Sequence, residues 1–125
     1  NVGGNRISSA YVPAFAQVLR EATGLVALSL GKCLFGEPGV YDVLGSIALL
    51  TRLVTLDMSG CLMSHTCGEL LRSLLTRCPN IASLYLDDNP LGRFGTESVA
   101  AGIPLCTNLT CLSMCRVDMG REGMT

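Results

Sequence analysis

Four segments of this 125-residue chain carry one pattern at one spacing. They are Leu25–Phe35, Leu53–Met63, Ile81–Leu91 and Leu109–Met119. Each puts apolar residues at its first, fourth, sixth and eleventh places, and Cys, Asn or Val at its ninth. The ninth places are Cys33, Cys61, Asn89 and Val117, and a partial copy from Val2 to Ile7 adds Asn5. Successive copies stand 28 residues apart with no insertion. A fixed period of this length constrains a fold more than any composition does. Each unit is too short to bury its own apolar face, so the units must stack on one another.

The two halves of each unit have different periods. In Leu28-Ser29-Leu30 and its copies, apolar and polar residues alternate, as in a short strand with one buried face. Leu28, Leu30, Leu56, Met58, Leu84, Leu86, Leu112 and Met114 should therefore form inward layers. The ninth residue follows at a bend. An Asn there can bond backbone groups that a buried bend would leave unpaired. Cys offers only a weak donor, and Val117 offers none. After the bend the period becomes helical: Phe15, Val18, Leu19 and Ala22 recur at i, i+3, i+4, i+7. Val43, Ser46, Ile47 and Leu50, then Leu71, Leu74, Leu75 and Cys78, then Val99, Gly102, Ile103 and Cys106 repeat it. The pattern predicts parallel three-residue strands centred on Leu28, Leu56, Leu84 and Leu112. It predicts helices over about residues 10–22, 38–50, 66–77 and 95–104. Pro13 and Pro38 then fall early in their helices, where a missing N–H costs little. The expected fold is α/β: a short curved solenoid, strands on the concave side and helices on the convex side.

The pattern L-x-x-L-x-L-x-x-N/C-x-L is similar to the leucine-rich-repeat consensus. With its 28-residue length and helical outer side, the chain resembles the ribonuclease-inhibitor-like class over essentially all its residues. That class includes ribonuclease inhibitor, repeat regions of intracellular innate-immune receptors, the Ran GTPase-activating protein, and cytoskeletal and ciliary scaffolds. A second resemblance lies in Cys78-Pro79-Asn80-Ile81 and Cys106-Thr107-Asn108-Leu109, with Cys33 and Cys61 at the bends. These look like the cysteine-containing repeats of F-box ubiquitin-ligase subunits, which are shorter and less regular. A third is Gly92-Arg93 after the third strand. The Ran activator is similar in placing Gly-Arg in such a loop, which would make Arg93 a stabiliser of phosphate charge. The flanking residues carry no further match. The main resemblance implies a non-catalytic intracellular scaffold that binds other proteins, without naming the partner.

Composition narrows the alternatives. Nine Lys and Arg against ten Asp and Glu give a net charge of −1, so nothing suggests nucleic-acid binding. No apolar run reaches the length of a membrane span. Seven cysteines are an odd number for a disulfide framework. Cys33, Cys61, Cys67, Cys78 and Cys106 fall on core positions, where buried Cys behaves as a small hydrophobe. Only Cys111 and Cys115 fall on the open strand face, and four residues of strand hold them about 13 Å apart, too far for a disulfide. All seven are expected reduced, in a cytoplasmic or other reducing compartment, the cytoskeleton or a cilium included. Cys61, His65 and Cys67 lack the paired spacing of a zinc site, so neither metal nor cofactor is expected. The sequon at Asn108 conflicts with that compartment.

The remaining candidates line the open face. Ala27, Ser29, Thr55, Ser83 and Ser113 are small. Lys32, Asp57, Tyr85, Asp87, Asp88 and Arg116 are the residues able to grip a protein partner, Tyr and Arg being the types favoured at hot spots. Pairing in register sets Asp57 beside Tyr85. The acids would need a shaped, desolvated pocket to act in catalysis or bind a small-molecule substrate, and an open sheet supplies none. The convex helices offer Glu69, Leu70, Arg72 and Arg77 as a second surface, and the solenoid ends a third. No repeat reads as a polar cap. The whole chain, residues 1–125, is therefore expected to be one segment of about four and a half uncapped repeats within a longer array.

Overall fold

The computed structural model describes residues 11–117. Four helices alternate with four strands: α1 (Val12–Glu21), β1 (Ala27–Ser29), α2 (Glu37–Ile47), β2 (Thr55–Asp57), α3 (Gly68–Arg77), β3 (Ser83–Tyr85), α4 (Gly92–Gly102) and β4 (Cys111–Ser113). A 3₁₀ turn, His65–Cys67, leads into α3, and another, Ile103–Leu105, follows α4. The strands form one sheet in chain order, every pair parallel. Leu28 lies opposite Leu56, Leu56 opposite Leu84, and Leu84 opposite Leu112. The register is thus the sequence period itself.

The ladder runs past both ends of these short strands. Before them, the amides of Val54, Ala82 and Thr110 donate to the carbonyls of Val26, Val54 and Ala82. After them, Leu30, Met58 and Leu86 donate to Asp57, Tyr85 and Ser113, and Lys32, Gly60 and Asp88 to Ser59, Asp87 and Cys115. Leu56, Met58, Leu84 and Leu86 are fully buried against Ile47, Leu71, Leu74 and Leu75 in one continuous core. Each such side chain contributes about 1.5–3 kcal/mol on burial.

Helix α2 ends at Ile47, short of residue 50, and two further expectations shift. Helix α4 begins at Gly92, earlier than residue 95, because Gly92 adopts φ +67° and turns the chain directly from bend to helix. Its amide is held by the Val117 carbonyl at 2.8 Å. Val18 does not belong to the buried stripe of α1: it is 64% exposed, and Val12, Ala16 and Leu19 are buried instead. Its counterparts one, two and three periods on, Ser46, Leu74 and Gly102, are all buried. Gly102 lies against Leu75 and Arg72 of the preceding helix, and Ser46 accepts a hydrogen bond from Arg20 of α1 at 2.9 Å. That face of α1 has no preceding helix among the described residues, so Val18 stays in water. Periodicity finds the stripe; the neighbour decides how wide it is.

Candidate functional site

Among the described residues the sheet has one face on the helices and one left open. On the open face, Thr55, Asp57, Ser83, Tyr85 and Ser113 are half-buried and Ala27 and Cys111 are exposed, while Leu56 and Leu84 between them are buried. Asp57 and Tyr85 are direct register partners, as expected. The Asp57 carboxylate accepts the Ser59 amide through Oδ1 at 2.9 Å. The Cys111 thiol lies 3.7 Å from the Tyr85 hydroxyl. That hydrogen bond, with the negative charge of Asp57 as a smaller cause, raises the Tyr85 pKa above its ordinary value.

Asp88 lies on the turn at the exit of β3, where its place after the strand sets it. Lys32 and Arg116, expected on the open face, are on the equivalent turns. All three adopt left-handed backbone, φ 61°, 58° and 57°, and Gly60 completes the row at φ 67°. The reversal of direction after each strand imposes this conformation, and it aims these side chains along the rim. There Arg116 and Asp88 form a two-pronged ion pair, one prong at 3.0 Å. It holds the Asp88 pKa below the ordinary carboxylate value. Asp87, one residue earlier, accepts the Ser113 hydroxyl and the Cys115 amide through Oδ1, both at 2.7 Å, which depresses its pKa. Cys115 is likewise in a turn and exposed.

The ninth-place residues are structural. Asn89 is fully buried; its Oδ1 accepts the amides of Cys61 (2.9 Å) and Met63 (3.1 Å). Its Nδ2 donates to the carbonyls of Met58 (2.9 Å), Leu86 (3.1 Å) and Asp87 (3.3 Å). One amide thus ties two units together. Cys61 supplies only the donor half, Sγ to the Leu30 carbonyl at 3.0 Å, and burial pushes its thiol up to about 12. Cys33 and Val117 are buried at the equivalent places, and Asn5 lies outside the described residues.

Several features escaped the sequence reading. Cys78 and Cys106 form a second cross-unit ladder at the helix exits. Cys78 Sγ lies 3.5 Å from the Leu50 carbonyl and Cys106 Sγ 3.4 Å from that of Ile81. Side chains at the strand exits cap the amide of the next unit, as Ser59 does for Asp87 at 3.1 Å. The left-handed row was signalled only by Gly60. Arg93 is exposed in the first turn of α4, its Nε donating to Glu97 at 3.0 Å. Among the described residues no three His, Cys, Asp or Glu side chains converge as metal ligands would, and no helix is long and apolar enough to cross a membrane.

No protein-family profile matches the chain. No curated protein matches it either. Among solved structures it is similar to an internalin (inlF) from Listeria monocytogenes, at 21% identity and a TM-score of 0.42. The match covers 89% of this chain and 34% of that one, so the chain spans about a third of the internalin's length.

Proposed function

We propose that this chain is a non-catalytic protein-interaction scaffold, built of leucine-rich repeats of the ribonuclease-inhibitor-like class. The observation that carries the reading is the uncovered sheet face. Four in-register strands bury one set of side chains and leave the alternate set, from Ala27 to Ser113, without a second layer among the described residues. A sheet face of mixed small, polar and aromatic groups, rigidly spaced by its ladder, suits recognition of another protein. The offset of 28 residues at each pairing and the helix on every return support the ribonuclease-inhibitor-like class over the shorter, less regular F-box repeats. A reducing intracellular location is part of the proposal; the burial of Cys33, Cys61, Cys67, Cys78 and Cys106 as core thiols outside any disulfide supports it.

The test is capture of partners from cell extract on the immobilised chain, repeated with two variants. Ser83→Arg plants a long side chain in the middle of the open face. Arg77→Ala alters the helical side. A specific partner should be lost with the first and kept with the second. A partner kept by Ser83→Arg and lost with Arg77→Ala would move the binding surface to the helices and overturn the sheet-face reading.

A further inference from the structure

Ala27, Leu28, Ser29, Thr55, Asp57 and Tyr85 line a hollow of about 350 Å³ on the open sheet face. Its floor is low because the side chains that β1 turns to this face, Ala27 and Ser29, are small, and one wall is Tyr85. Asp57 supplies its charge. Oδ1 of that carboxylate is taken by the Ser59 amide. Oδ2 lies toward Gly31, 3.6 Å from where a Cβ there would stand, and no hydrogen bond among the described residues uses it. None of the ion pairs among the described residues uses Asp57. At the rim Arg116 is paired with Asp88; Lys32 lies over Gly60 and makes none of the ion pairs among the described residues.

An anionic oxygen beside an aromatic ring, over a small-residue floor, matches a flat cation. A guanidinium can stack on the ring and hydrogen-bond the carboxylate together; an ammonium does only part of this. The hollow lies on an open sheet and does not enclose a free small molecule as a ligand pocket would. A side chain delivered by a segment that runs along the sheet needs no such enclosure. We propose that the hollow between Asp57 and Tyr85 receives an arginine side chain from a partner protein's loop or extended segment. This rests on the protein-binding reading above and names the chemistry of the contact.

The probe is a blocked five-residue peptide with one central arginine in a glycine–serine frame, with lysine, methionine and glutamate counterparts. Each is titrated into the ¹⁵N-labelled chain. The arginine peptide should move the amides of Thr55, Asp57 and Tyr85 saturably, and bind more tightly than the methionine peptide by about three- to tenfold. Asp57→Asn should weaken it by a similar factor. That variant keeps the acceptor for Ser59, and an unchanged spread of the remaining amide signals verifies its fold. Tyr85→Leu should weaken it too, and Tyr85→Phe should not. Equal binding of all four peptides at these strands overturns the arginine site and leaves the protein-binding reading standing. Absence of saturable shifts at Thr55, Asp57 and Tyr85, or full affinity in Asp57→Asn, also overturns it. Failure of the wider reading shows separately, in the capture experiment with Ser83→Arg.

Discussion

Asn89 and Cys61 occupy one position in successive units yet differ in what they hold together. Asn89 answers two amides and three carbonyls of its own and the preceding unit; Cys61 answers two carbonyls. Asn89→Ala would strand several buried backbone groups at about 1–3 kcal/mol each. We expect a loss of at least about 2–4 kcal/mol in urea unfolding, and a smaller one for Asn89→Cys, which keeps a donor. Equal losses would mean the acceptor half is idle. The thiols give a second expectation. Burial raises Cys61 to about 12 and Cys78 to about 11, against 9.0 for a free thiol. A group whose folded pKa is raised stabilises fully below the unfolded value and loses that contribution as pH rises. Stability should therefore decline between about pH 9 and the folded values near 11 and 12, measured by urea midpoints across that range. In the native state at neutral pH, a thiol reagent should modify Cys111 and Cys115 and spare the five buried cysteines until the chain unfolds.

Among the elements, the joint between α3 and α4 is the tightest. A Cβ on Gly68 would lie 2.9 Å from Ser98 Cβ and 3.0 Å from the Cα and carbonyl oxygen of Gly95. Two of these are backbone atoms that cannot rotate away. Gly68→Ala should force the helices apart and cost about 1–3 kcal/mol. Gly45, inside α2, has nothing within 4 Å of its Cβ direction and ordinary helical backbone. Gly45→Ala should stabilise by about 0.5–1 kcal/mol, because alanine loses less backbone freedom on folding. Thermal melts of the two variants against the parent chain check both signs. A stabilised Gly68→Ala would show that the helices can separate freely.

Across the whole molecule, burial falls away toward the outer units. Leu56 and Leu84 are fully buried; Leu112, their counterpart in β4, is 36% exposed. Val18 is exposed at the opposite side, and among the described residues no strand pairs with the outer edge of β4. Apolar residues and an unpaired strand edge invite association. The chain alone should self-associate at micromolar concentration in sedimentation equilibrium, and Val18→Glu with Leu112→Thr should shift it toward monomer. A parent chain that stays monomeric at those concentrations would show that its outer units need no cover.

The 28-residue period alone determined the element order, the parallel pairing and its register, and so the neighbourhood of Asp57 and Tyr85. These follow locally, since a repeated unit with one apolar strand face and one apolar helix stripe can only stack on its copies. The same pattern identified Asn89 as a bend residue, because its place between apolar positions recurs at every unit. Other features depended on atoms brought together from different units. Val18 reads like Leu74 along the chain, and only the absence of a preceding helix among the described residues leaves it in water. Lys32 and Arg116 read as residues of the open face until the turn fixes their left-handed backbone and sends them to the rim. The second cysteine ladder and the closeness of Gly68 to Gly95 exist only between units. A one-dimensional pattern states which surface a residue belongs to; distance, backbone conformation and the presence of a neighbour decide what that residue can do there.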